Sequence, residues 1–131
     1  VTIVVDASVV VALLVDGGND GHWARSVLGA RALAAPHLMH VEVANILRRS
    51  VLARQITDDV ASLAHDDLLA LPVDLFDYAS FAARAWALRR SVTLYDAHYV
   101  ALAEALHAPL VTLDRKLARA PGTRCTFLTP P

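Results

Sequence analysis

Asp6, Glu42, Asp96 and Asp114 lie far apart in the chain, and each sits where a carboxylate could do chemistry. Asp6 closes the β-branched run Val1–Val5 and is followed by Ala7 and Ser8. Asp114 closes the run Leu110–Leu113, two residues after Thr112. Asp96 follows Thr93-Leu94-Tyr95 and opens a strongly apolar stretch. As a helix cap or a partner of the helix dipole, each aspartate has a plain structural explanation. Glu42 is harder to explain that way. It lies in Val41-Glu42-Val43-Ala44-Asn45-Ile46-Leu47, about one helical turn from Leu38, Met39 and Ile46. An unpaired charge buried among such neighbours is strongly unfavourable, so Glu42 needs a cation or a wet face. Asn45, one turn on, is placed to hydrogen-bond to it or to a ligand.

Considered together, the acids ask for a counter-ion. Two carboxylates about 5 Å apart repel by roughly 3 kcal/mol at an effective dielectric near 20. A divalent cation removes that conflict. With oxygen donors, no ligating cysteine and no His-x-x-x-His pair, magnesium or manganese fits better than zinc. A metal-bound water is in turn a ready nucleophile for a phosphodiester. His98 and Tyr99, just after Asp96, read as packing residues and receive no chemical role. The single cysteine, Cys125, excludes an internal disulfide and reads as a small core residue.

The elements that must position these acids follow from patterning. A chain of 131 residues without repeat or linker reads as one domain, 1–131. Its apolar fraction of 56% and mean hydropathy of +0.44 are high. Charges, histidines and prolines interrupt every apolar stretch before it could span a bilayer. The expectation is a soluble cytoplasmic protein whose excess apolar surface a partner covers. Net charge is −1, which excludes nucleic-acid binding through bulk charge. Eleven of the twelve basic residues are arginines, several paired with another cation, as in Arg48-Arg49, Arg89-Arg90 and Arg115-Lys116.

Strands are expected at Val1–Val5, Leu33–Ala35, Val73–Phe76, Leu110–Leu113 and, at an edge, Arg124–Leu128. Helices are expected over Ser8–Val15 and Trp23–Leu28, with a loop over Asp16–Gly21 between them. A long helix follows Pro36, with proline in its first turn, and runs to about Arg54. The next is capped by Thr57 and ends at Pro72; two more cover Tyr78–Arg90 and Asp96–His107. This alternation predicts a three-layer α/β/α sandwich around a mostly parallel sheet, with the acids at its carboxyl edge.

The motifs Val4-Val5-Asp6-Ala7-Ser8, Pro36 followed by Glu42-Val43-Ala44-Asn45 and Leu47-Arg48-Arg49, Tyr95-Asp96-Ala97, and Leu110-Val111-Thr112-Leu113-Asp114 closely resemble a PIN domain, over nearly the whole chain. The small size resembles the VapC toxins of VapBC toxin–antitoxin systems. The resemblance implies a magnesium- or manganese-dependent endoribonuclease that acts on RNA, is commonly a homodimer and is neutralised by a VapB-type antitoxin. It makes Asp6, Glu42, Asp96 and Asp114 the catalytic, metal-binding quartet, with Asp114 acting directly or through water. Ser8 and Thr112 become supporting hydroxyls and Asn45 a polar neighbour. Arg48, Arg49, Arg115 and Lys116 are candidates to guide the RNA backbone, and Trp23, Phe81 and Trp86 to line an antitoxin groove.

Three other classes compete. A phosphoacceptor receiver domain needs adjacent acids after its first strand and a late lysine, whereas here Asp6 is followed by Ala7-Ser8 and the only lysine is Lys116. A haloacid-dehalogenase-type phosphatase needs a second aspartate two positions after the first, where this chain has Ser8. A non-catalytic protein-binding module whose acids only cap helices remains the alternative, and Glu42 counts against it.

Overall fold

The structure is a computed structural model and describes every residue from Val1 to Pro131. Strand and helix alternate: β1 (Thr2–Val5), α1 (Ala7–Val15), α2 (Asn19–Leu28), β2 (Ala32–Pro36), α3 (Met39–Leu52), α4 (Asp58–Ala70), β3 (Val73–Phe76), α5 (Ala82–Ala87), α6 (Leu94–Leu106), β4 (Leu110–Val111), α7 (Arg115–Ala118) and β5 (Phe127–Leu128). The strands form one sheet in the order β3-β2-β1-β4-β5, and every neighbouring pair is parallel. Right-handed crossovers carry α1 to α4 over one face and α5 and α6 over the other. Accordingly α1 packs on α2, α3 and α4, while α6 packs on α5 and on strands β1, β2 and β4.

Central strands covered on both faces need no polar alternation. Ile3, Val4 and Val5 of β1 and Leu110 and Val111 of β4 are all essentially inaccessible. In α6 every residue from Ala97 to Ala103 is buried, so this helix is apolar all round because it lies inside the protein. Much of the high hydropathy is therefore interior rather than surface awaiting cover. No helix is long and apolar enough to cross a membrane.

Several boundaries differ from expectation. Pro36 does not open a helix; it is the last residue of β2, paired with Phe76, where its missing N–H costs little. Helix α2 starts at Asn19, inside the expected loop, with Gly18 as its N-cap residue. Gly21 is there for close packing, since a Cβ would fall 1.8 Å from the Asp16 carbonyl oxygen. The expected helix Tyr78–Arg90 is broken into a 3₁₀ turn, Ala79–Phe81, and the short α5. Arg89 and Arg90 lie beyond it, with the Arg89 guanidinium over the Trp86 ring at 4.8 Å. β4 and β5 have only two residues each. Thr57 caps α4 as expected, accepting the Val60 N–H at 3.2 Å.

Candidate active site

Strands β1 and β4 lie side by side, yet the chain leaves them in opposite directions, towards β2 and towards β5. Such a switch point opens a crevice at the carboxyl ends of the two strands, the usual ligand position in open α/β sheets. Asp6 follows β1 there, and Thr112 follows β4. Asp6 is only 7% exposed, and both of its carboxylate oxygens are hydrogen-bonded. Its Oδ1 accepts from the Ser8 hydroxyl at 2.6 Å and from the Val9 N–H at 3.2 Å, and its Oδ2 accepts from the Thr112 hydroxyl. Each hydroxyl also accepts a backbone bond: Ser8 from the Leu113 N–H at 3.2 Å, Thr112 from the Asp114 N–H at 3.0 Å. These bonds stitch the end of β1 to the end of β4 and fix the Asp6 carboxylate in one orientation.

The other three acids arrive from helix starts. Asp114 caps α7 through Oδ1 alone, accepting from the Lys116 and Leu117 N–H groups at 2.9 and 3.1 Å. Asp96 lies in the first turn of α6, where Thr93 does the capping by accepting the Asp96 N–H at 3.3 Å. Its carboxylate is thus free of the capping role. Glu42 lies in the first turn of α3, half-buried, and its Oε1 accepts from the Tyr99 hydroxyl at 2.8 Å. The sequence alone reads Tyr99 as a packing residue. Its position three residues after Asp96 on one helix was the available signal, because that spacing puts both on one face.

Charge ties the four acids together. Burial pushes the Asp6 carboxyl above its usual range and the Asp114 charge adds to this, against the hydrogen bonds from Ser8, Thr112 and Val9. Glu42 is raised by burial and by the charges of Asp96 and Asp6, with the Tyr99 bond opposing. Asp96 is raised by burial and by the charges of Asp6 and Asp114, with a hydrogen bond from the Thr93 side chain opposing. No basic side chain neutralises this cluster: the one ion pair of the chain, Arg84 with Glu104 at 2.6 Å, lies elsewhere.

An uncompensated set of oxygen donors is the chemistry a hard divalent cation accepts, so the residues present fit magnesium or manganese. No three Asp, Glu, His or Cys side chains are closed around a single point. Magnesium does not require that, since it retains several waters and uses one or two carboxylates directly.

The remaining expectations divide. Asn45 is exposed and makes no side-chain hydrogen bond to Glu42. Arg48 lines a groove between α3 and α4, and Arg49 and Lys116 are exposed. Arg115 is not a free cation: its guanidinium donates to the carbonyls of Pro130 at 2.7 Å and Pro131 at 3.2 Å. Trp23, Phe81 and Trp86 do not line one groove. Trp23 belongs to α2 and Trp86 to α5, on opposite faces of the sheet, and Phe81 packs edge-on against Phe76. Cys125 is partly buried, with its thiol pushed up to about 11 by burial and by Glu104, which suits an inert residue. His98 is buried, with Nε2 at 3.2 Å from the Asp77 carbonyl, and burial pushes its pKa down.

The sequence profile of the PIN domain matches residues 3–122, a span holding all four acids. The chain belongs to the PIN-domain family. Among its relatives, Ribonuclease VapC1 of Mycobacterium tuberculosis is 42% identical over 123 residues, which is 93% of this chain and 92% of that protein. Two solved structures share the PIN fold. One is VapBC2 from Rickettsia felis bound to a promoter DNA fragment, with TM-score 0.71, 14% identity and full coverage of both chains. The other is a toxin–antitoxin complex from Klebsiella pneumoniae, with TM-score 0.59, 17% identity and coverage of 97% of this chain and 96% of that one.

Proposed function

We propose that this PIN domain is a magnesium- or manganese-dependent endoribonuclease, the toxin of a type II toxin–antitoxin pair that acts in the cytoplasm and is restrained by a VapB-type antitoxin. The observation that carries the reading is the convergence of four uncompensated carboxylates on the crevice between β1 and β4, with Asp6 buried and locked by Ser8 and Thr112. The relationship to a protein named as a ribonuclease, over nearly the whole chain, points to RNA as the substrate.

Asp6, Glu42 and Asp96 would hold the ion, one or two of them directly and the rest through its waters. When bound, the ion acidifies the attacking water and offsets charge on the phosphoryl oxygens and the leaving 3′-oxygen. The residues do the rest. Ser8, Thr112 and the Val9 N–H keep the Asp6 carboxylate in place without reorganisation during the reaction, which is how preorganised sites lower barriers. Asp114, with Oδ1 committed to backbone, has Oδ2 left to accept a hydrogen bond from water in the site. The absence of any arginine or lysine in the cluster leaves the negative charge for the ion rather than for a protein partner.

The antitoxin's place is the groove of about 500 Å³ between α3 and α4, where Leu47, Val51 and Ala61 form the floor and Arg48, Asp58 and Asp66 the rim. Leu52 and Leu63 stand 67% and 65% exposed on these helices, enough apolar surface to seat an amphipathic segment. A second copy of the chain would pack on the exposed patch of Val41, Tyr78 and Tyr95, beside Glu42 and Asp96. RNA guidance falls to Arg48, Arg49 and Lys116. Neutralising them should flatten the salt dependence of RNA affinity by about one power per lost phosphate contact.

The test is cleavage of total RNA by purified protein with magnesium, with manganese, and with chelator, beside Asp6→Asn. Cleavage that needs the ion and disappears in the variant supports the reading. Cleavage that survives both chelation and Asp6→Asn refutes it.

A further inference from the structure

Tyr99 is 1% exposed, yet its hydroxyl is not lost in the core. It reaches from α6 to α3 and donates to Glu42 Oε1 at 2.8 Å, linking residues 57 positions apart and the helical layers on the two faces of the sheet. Nothing else in the protein bonds to the Glu42 side chain, whose other oxygen, Oε2, is left without a protein partner. We propose that Tyr99 is a positioning residue for the metal site: it selects the Glu42 rotamer that aims Oε2 at the ion, so that α6 contributes both Asp96 and the orientation of the ligand from α3.

Three observations support this. A glutamate on a helix has three rotatable side-chain bonds, and freezing them costs conformational entropy that a prior hydrogen bond has already met. The Tyr99 hydroxyl lies 2.8 Å from Glu42 Oε1 and faces a carboxylate that offers only acceptors, so it is the donor of this bond. The site otherwise drives Glu42 away, since Asp6 and Asp96 both repel it. Tyr99 is the one group shown to hold it in place. Groups that orient a ligand without touching the ion commonly change metal affinity by about 10–100-fold when removed.

The inference rests on the metal-dependent reading above, and its test separates the two. Manganese affinity is measured by electron paramagnetic resonance for the wild type, Tyr99→Phe, Glu42→Ala and the double variant, with circular dichroism and melting in chelator to verify folding. Phenylalanine keeps the ring and removes only the donor. Tyr99→Phe is expected to bind manganese about tenfold or more weakly, while the same change in the Glu42→Ala background has no further effect. Affinity within about twofold of wild type, or an equal loss in both backgrounds, overturns the role of Tyr99 while leaving the metal site standing. A wild type that binds no manganese overturns the metal reading and this inference with it.

Discussion

Two groups of partly buried acids in this protein have opposite electrostatic surroundings. Glu104 on α6 receives two hydrogen bonds from the Arg84 guanidinium, at 2.6 and 3.1 Å, and a third from the Arg124 N–H at 2.7 Å. Burial raises its pKa, but those bonds outweigh it and hold the carboxyl below its usual range. Arg84 also donates to the Gly122 carbonyl at 2.7 Å, so one ion pair ties α5, α6 and the last loop together. Asp6, Glu42 and Asp96, at the carboxyl edge of the sheet, are raised instead, and no cation answers them. The clamp is a completed interaction that stabilises the fold. The cluster is an incomplete one that strains it, and such strain persists where a ligand relieves it.

The sharpest way to break the comparison is to neutralise one acid of the cluster. Asp96→Asn should lower RNA cleavage on the order of 100–1,000-fold, as removal of a group that stabilises developing charge does. The same variant should melt no lower than wild type in chelator, because a repelled charge has gone. A kinetic assay and a thermal scan on one preparation decide it; a large loss of metal-free stability would show that Asp96 is structural.

Next in size is the ion itself. Magnesium at about 100 times its dissociation constant should stabilise the wild type by about 2.7 kcal/mol. Calorimetry should show this rise in melting temperature, and Asp96→Asn should lose most of it. The clamp should not respond to the metal. Arg84→Met should instead cost about 2 kcal/mol by urea denaturation, the scale of losing charged hydrogen bonds and leaving Glu104 partly unanswered. Its cleavage rate per folded molecule should stay near wild type.

Smallest is the effect of pH on metal-free protein, where the two regions have opposite signs. The cluster carboxyls have raised folded pKa values, so their stabilising contribution is complete below the unfolded carboxylate range and is lost as pH rises through the raised values. Glu104 has a lowered value, so its contribution is complete above that range and is lost as pH falls through the folded value. Melting temperature in chelator should therefore rise as pH drops from neutral towards 5, an approximate turning point set by ordinary carboxylate pKa values, and fall below about 4. Saturating magnesium should abolish the first limb. A flat profile in chelator would mean that neither burial nor the neighbouring charges raise these acids.

What could be read along the chain was whatever depends on near neighbours. The continuous apolar runs at β1 and β4, the Thr57 cap and the strand–helix alternation follow from local periodicity, and together they imply a parallel three-layer fold with acids at one edge. Boundaries failed where a packing contact overrode local preference: Pro36 is held in β2 by Phe76, far along the chain, and Gly21 is buried against Asp16. Composition likewise implied apolar surface, while the all-round burial of α6 absorbed much of it. Asp6, Glu42, Asp96 and Asp114 were recognisable as a set because residue type and motif order are written in the sequence. That Thr93, not Asp96, caps α6, that Arg115 is occupied, and that Tyr99 holds Glu42 were not. Each is a contact between groups whose separation depends on how the layers pack, and only the folded chain decides which donor reaches which acceptor.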